Sequence, residues 1–201
     1  MVAWPDDDYS GISAIGDLLV EIDRGSRKSS SGDHYRISLM SSSSFRVVGP
    51  QDGPLYQVLA NRVTLKASAA NTNGAYSLFE IRTDTRGGMP PHWQRYDDEA
   101  LWVLEGTYAF QFGEKVVTLG AGGYVYVRRS TLHAFANCGQ MPARMLMLVT
   151  PGGIHERFFA EAGMAAAYGE TSVASGVAPD WPRLTNIARK YGIEILPPSG
   201  G

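Results

Sequence analysis

Cysteine is almost missing from this sequence. A single thiol, Cys138, among 201 residues excludes an internal disulfide. It suits a reducing compartment, so a cytoplasmic location is expected. Cys138 itself reads as small filler after a strand rather than as a catalytic thiol. Long apolar runs are missing too. None approaches the roughly 20 residues that a membrane helix requires. The start also lacks the basic-then-apolar pattern of a signal peptide, so no membrane partner is expected. Charge of one sign is equally scarce. Lys and Arg number 18 against 20 Asp and Glu, which leaves a formal net charge of −2. So balanced a chain has no electrostatic footprint for nucleic acid. Internal repeats are absent, and the only low-complexity tract is a run of serines.

What is present suffices for a core. Hydrophobic residues make up 44% and charged residues 19%, in a length that suits one domain with appendages. Texture divides the chain. Residues 1–44 are polar and rich in breakers, with D-D-D at 6–8, R-G-S-R-K-S-S-S-G-D at 24–33 and S-S-S-S at 41–44. One stretch, 12–22, has a helical pattern. This segment is expected to be a flexible, loosely held N-terminal arm. Met40 is a candidate natural start, because domain-like texture begins only near Phe45.

From residue 56 to residue 149 short apolar runs alternate with turn signals. Strands are predicted at 56–59, 64–67, 76–83, 100–104, 108–112, 115–119, 124–127, 133–136 and 144–149. Asn73-Gly74, Gly87-Gly88, Gly113-Glu114 and the stretch 120–123 punctuate them. Such regular spacing predicts an all-β antiparallel sandwich or barrel. Tyr108, Phe110 and Phe112 alternate with Ala109 and Gln111, the period of a sheet with one buried face. The period then changes. Ile154, Phe158 and Phe159 recur at helical spacing up to Gly163, and a second helix is predicted over 182–191. Between them, 169–178 reads as a small-residue loop. The expected organisation is an arm at 1–44, a barrel at 45–153 and a helical segment at 154–201.

Three strong metal-ligating side chains fall inside this strand texture. His92 and Gln94 are two apart, so an extended chain projects them to one face, and Pro90-Pro91 favours extension. The polar stretch 95–98 is turn-like, and Glu99 begins the next strand, which can bring its carboxylate opposite His92. His133 opens a later strand. Two imidazoles and one carboxylate form a facial set that suits first-row metals. Gln94 either adds a neutral oxygen ligand or hydrogen-bonds a bound water. Each residue alone has a bland reading; one shared site accounts for all three. His34, in a polar segment, and His155, opening a helix, read as surface residues.

Two segments carry a resemblance. Residues 92–106 contain His92-x-Gln94-x4-Glu99-x6-Gly106, with Gly87 one place off a leading glycine. Residues 122–137 contain Gly122-x5-Arg128-x-Ser130-x2-His133-x3-Asn137. The pair resembles the two motifs of the cupin superfamily, and in particular its single-domain quercetin-dioxygenase-like members. The resemblance runs from about Phe45 to Pro198. It implies a jelly-roll β-barrel with two C-terminal helices, and metal ligands at His92, Gln94, Glu99 and His133. The departures are Gln94 in place of a histidine, and Arg128 and Ser130 in place of the proline and glycine of a turn. The implied cofactor is one divalent ion (Fe, Mn, Ni or Cu), with Glu99 also a catalytic proton acceptor. Substrate-contact candidates are Tyr96, Trp102, Glu80 and Arg128, with Trp93, Tyr124 and Tyr126 nearby. The implied activity is dioxygenase-like, on a small aromatic or enolic molecule. Isomerase or cyclase chemistry, and a metal-free ligand-binding or accessory barrel, are the alternatives. A homodimer is expected, as in similar cupins.

Overall fold

A computed structural model describes residues 46–165 and 179–198. The N-terminal arm, with Met40 and His34, and the loop at 169–178 lie outside the described residues. Ten strands run in succession: β1 Leu55–Val58, β2 Asn61–Ala67, β3 Ser77–Thr83, β4 Gly88–Gln94, β5 Asp98–Glu105, β6 Thr107–Phe112, β7 Lys115–Gly120, β8 Tyr124–Val127, β9 His133–Asn137 and β10 Ala143–Thr150. Helix α1 (Ile154–Ala162), the short β11 (Met164–Ala165), helix α2 (Trp181–Lys190) and β12 (Ile193–Ile195) follow. Two antiparallel sheets form the jelly-roll barrel, in the orders β11-β1-β2-β3-β10-β5-β8 and β12-β4-β9-β6-β7.

Period-two patterning decides which face turns inward. In β3, Ser77, Phe79, Ile81 and Thr83 are buried and the residues between them are not. In β10, Ala143, Met145, Met147 and Val149 behave likewise. Opposite them, β6 contributes Tyr108 and Phe110, both fully buried. Tyr108 keeps its hydroxyl satisfied by donating to Thr83 Oγ1 at 3.0 Å. Burial pushes that phenol up to about 12.

The C-terminal elements do more than cover apolar surface. Helix α1 docks through its first turn, where the Ser77 hydroxyl accepts from Gly153 N and donates to Glu156. Glu156 also accepts from Ala69 N. Helix α2 opens with the Asp180 side chain accepting from Arg183 N, and Pro182 sits in the first turn, where a missing N–H costs nothing. Lys190 and Tyr191 bind Glu161 of α1. Strand β12 then pairs with β4 in the register Ile193↔Gln94, Glu194↔Trp93 and Ile195↔His92. It therefore covers the edge of the strand that carries two of the candidate ligands. Among the described residues no helix is long and apolar enough to cross a membrane.

Candidate metal centre

His92 and Gln94 stand on the inward face of β4, Glu99 on β5 and His133 at the start of β9. All four are buried. Position follows from backbone pairing, since β4 and β9 meet with His92 opposite His133. The two imidazole rings lie 4.2 Å apart between centroids. Donor atoms of His92, Glu99 and His133 all fall within 4.8 Å of one another.

Each imidazole is oriented from behind. His92 Nδ1 lies 2.9 Å from the Pro90 carbonyl, and His133 Nδ1 lies 2.9 Å from the Thr131 carbonyl. A carbonyl only accepts, so Nδ1 carries the hydrogen in both rings and Nε2 is the atom left for the site. His133 Nε2 is 3.1 Å from Glu99 Oε2. Burial, with the His133 charge beside it, lowers His92 to about 4, so its ring is neutral and ligand-ready near neutral pH. Burial alone would raise the Glu99 carboxyl. Hydrogen bonds from His133 and His155 overcome it and hold Glu99 well below its ordinary range. Burial would likewise lower His133, but the bond to Glu99 raises it.

His155 overturns the expectation of a surface residue. It is buried, with Nδ1 2.8 Å from Asp97 Oδ2 and Nε2 3.3 Å from Glu99 Oε1. Phe158 and Phe159 of the same helix pack on its ring. The turn covers 95–97, with β5 starting at Asp98 rather than Glu99, and Asp97 within it is fully buried because it faces His155. A neighbouring acid would not have betrayed this pair, since 58 residues separate its members. The one usable signal was the placement of His155 beside Ile154 and Phe158 on an apolar helix.

The substrate-contact candidates do not gather at this cluster. Glu80 points outward between inward-facing Phe79 and Ile81, and it pairs with Arg144 at 3.4 Å. Trp102 is 54% exposed on the outer face of β5, edge-on to Tyr124 of β8. Tyr96 is half exposed and packs over Gly192. Arg128 is exposed in the turn after β8. Trp93 lies outside as well, under the Arg95 guanidinium. For Glu80, Trp93 and Trp102 the reason is alternation, which gives each strand two faces, and the larger apolar set took the inner one; Tyr96 and Arg128 lie in turns between strands. Ser130 does hold the turn that a glycine would favour, at φ 64°, with its N–H donating to Gln94 O at 2.7 Å. Asn137 is a structural anchor: its amide donates to Thr83 O, Asp84 O and Met141 O.

A cavity of about 40 Å³ opens beside the cluster. His92, Glu99 and His155 reach it, and Met89, Phe135 and Phe158 are among its apolar walls. The residues fit a metal ion on two counts. The donor set is nitrogen and carboxylate oxygen in tautomers that face one another. Gln94, moreover, is 1% exposed, and neither its Oε1 nor its Nε2 has a hydrogen-bond partner among the described residues. A buried amide without partners costs about 1–3 kcal/mol and calls for a ligand or an ordered water.

Residues 79–149 match the family Cupin_2, described as a cupin domain. This part of the barrel is similar to cupin domains. The match spans β3 to β10, so it includes His92, Glu99 and His133 but not His155. No curated protein sequence matches the chain. Among solved structures, the chain is similar to the polyketide cyclase RemF from Streptomyces resistomycificus, at 18% identity over 53% of this chain and 79% of that one, with a TM-score of 0.48. It is also similar to a predicted oxalate decarboxylase from Thermotoga maritima, at 17% identity over 53% and 99%, with a TM-score of 0.49. A third is KdgF from Halomonas sp., at 14% identity over 50% and 91%, with a TM-score of 0.45. Likenesses this distant transfer no activity to this chain.

Proposed function

We propose that this cupin-domain protein is a metal-dependent enzyme with dioxygenase-like chemistry, acting on a small enolic molecule. The observation that carries the reading is the convergence of three buried donors, His92, Glu99 and His133, within 4.8 Å. Two imidazoles and one carboxylate suit divalent Fe, Mn, Ni or Cu and leave coordination positions open. Bound there, such an ion supplies Lewis acidity and a meeting point for substrate oxygens and dioxygen. The chain's own groups do the rest. His92 and His133 hold their Nε2 atoms inward through their carbonyl-bound Nδ1–H groups. Glu99 borders the cavity, where a carboxylate can take the proton of an enol. Gln94 offers an amide that can donate to, or accept from, whatever occupies the site. Apolar walls exclude bulk water from the reacting groups.

Size narrows the substrate. A cavity of about 40 Å³ is well below the ~150 Å³ that accepts benzene, so an enol of few heavy atoms fits better than a polycyclic aromatic. The surface positions of Tyr96 and Trp102 also remove the stacking argument for a planar ring. One observation favours a second reading, a metal-free barrel that binds a small ligand: both Glu99 oxygens already have imidazole partners, His133 and His155.

Metal content of protein purified without chelators or a polyhistidine tag separates the two. Near-stoichiometric Fe, Mn, Ni or Cu is expected, and His133→Ala should lose it. Oxygen uptake should then follow addition of small enols. Conversion that persists without oxygen would assign the site to isomerase or cyclase chemistry instead. No metal in either protein, even after reconstitution, would leave the ligand-binding barrel.

A further inference from the structure

We propose that His155, itself held by Asp97, is a positioning residue for the Glu99 carboxylate, so that α1 completes the metal centre from outside both motifs. This rests on the metal-centre reading above. A carboxylate ligand turns freely about its last bond unless both oxygens are engaged. Glu99 Oε2 faces His133, a candidate ligand, at 3.1 Å, and Oε1 faces His155 Nε2 at 3.3 Å. His155 can hold that oxygen only because its own ring is fixed. Asp97 Oδ2 accepts from Nδ1 at 2.8 Å, and Phe158 and Phe159 wedge the ring from the helix side. The chain Asp97–His155–Glu99 is buried throughout. Helix α1 is in turn set by Ser77 and Glu156 at its first turn. A barrel strand, a helix and a ligand are thereby in mechanical register. Gln94, the motif position that departs from histidine, makes no hydrogen bond among the described residues that could replace this contact. Partners that orient ligands in this way set metal affinity by about 10–100-fold.

Co²⁺ titration of the full chain, stripped of metal by dialysis, tests this. Affinity is read by competition with a chromophoric chelator, the visible spectrum is taken at saturation, and circular dichroism checks folding. His155→Ala should bind Co²⁺ about 10–100-fold more weakly than wild type, and Asp97→Asn should shift in the same direction. His155→Gln should recover part of the loss, since its amide can still donate to Glu99. At saturation His155→Ala should keep the wild-type bands, because no ligand has been removed. Affinities for His155→Ala and Asp97→Asn within about twofold of wild type, with His133→Ala unable to bind, would overturn the inference and spare the centre. Altered bands would overturn it too, by making His155 a ligand. If His155→Ala does not fold, Asp97→Asn decides. Absence of Co²⁺ binding by wild type would bring down the centre and the inference together.

Discussion

At the scale of single residues, Gln94 is the position where stability and function pull apart. Its amide is buried with no partner among the described residues, which a folded chain tolerates only at a cost. Gln94→Met keeps the volume and removes the polar atoms. The metal-free variant should therefore be more stable by about 1–2 kcal/mol in urea unfolding, while its Co²⁺ affinity falls. Equal stability would mean that an ordered water already satisfies the amide. The identity of this residue was visible in the motif spacing, as were His92, Glu99 and His133. Its unmet hydrogen bonds were not, because they depend on what β9 and β12 bring alongside. Glu80 makes the complementary point. Alternation showed that Glu80 and Arg82 share a face of β3, but only Phe79 and Ile81 in the core decide that this face is the outer one.

At the scale of elements, α1 is the one whose role changed most. Its helical spacing was legible from Ile154, Phe158 and Phe159, and its end at Gly163 was too. That its second residue would enter a carboxylate cluster was not legible, since both acids lie in the turn and strand before the hairpin. The consequence is a pH signature in the metal-free protein. Burial would lower His155, but Asp97 and Glu99 raise it from an ordinary 6.5 to about 10. A folded value above the unfolded one means that the stabilisation is fully present below about pH 6.5 and lost as pH rises through 10. His92 acts with the opposite sign. Its folded value of about 4 lies below 6.5, so stability is lost as pH falls between the two. Urea midpoints should fall between neutral and alkaline pH in the wild type, and His155→Ala should show a smaller fall over the same interval.

At the scale of the molecule, the C-terminal segment closes the barrel. Phe158 and Phe159 wall the cavity, β12 pairs along the outer edge of β4, and Glu161 ties α1 to α2. Phe158 is 2% exposed and belongs to the core cluster. Phe158→Ala should lower stability by about 3–5 kcal/mol, measured by thermal or urea unfolding. The same change should enlarge the cavity and let bulkier enols be turned over or bound. Unchanged selectivity in a folded variant would show that the substrate does not approach α1. Glu194 and its neighbours were seen in sequence as part of the resemblance, yet their pairing with His92 and Gln94 spans about a hundred residues and has no local mark.

Alternating apolar residues, turn glycines and the spacing of His92, Glu99 and His133 are local properties, set within a few residues of chain. They were enough to determine a β-barrel, nine of its strands, both C-terminal helices and three donors able to converge, but not β4, β11 or β12. Tertiary structure alone decided which face of each strand looks inward, and so moved Glu80 and Trp102 to the surface. It also decided that His155 would meet Asp97 and Glu99, and that the cavity would be small. Those outcomes follow from competition among whole faces for one core, and a sum over distant elements leaves no pattern in any single stretch of sequence.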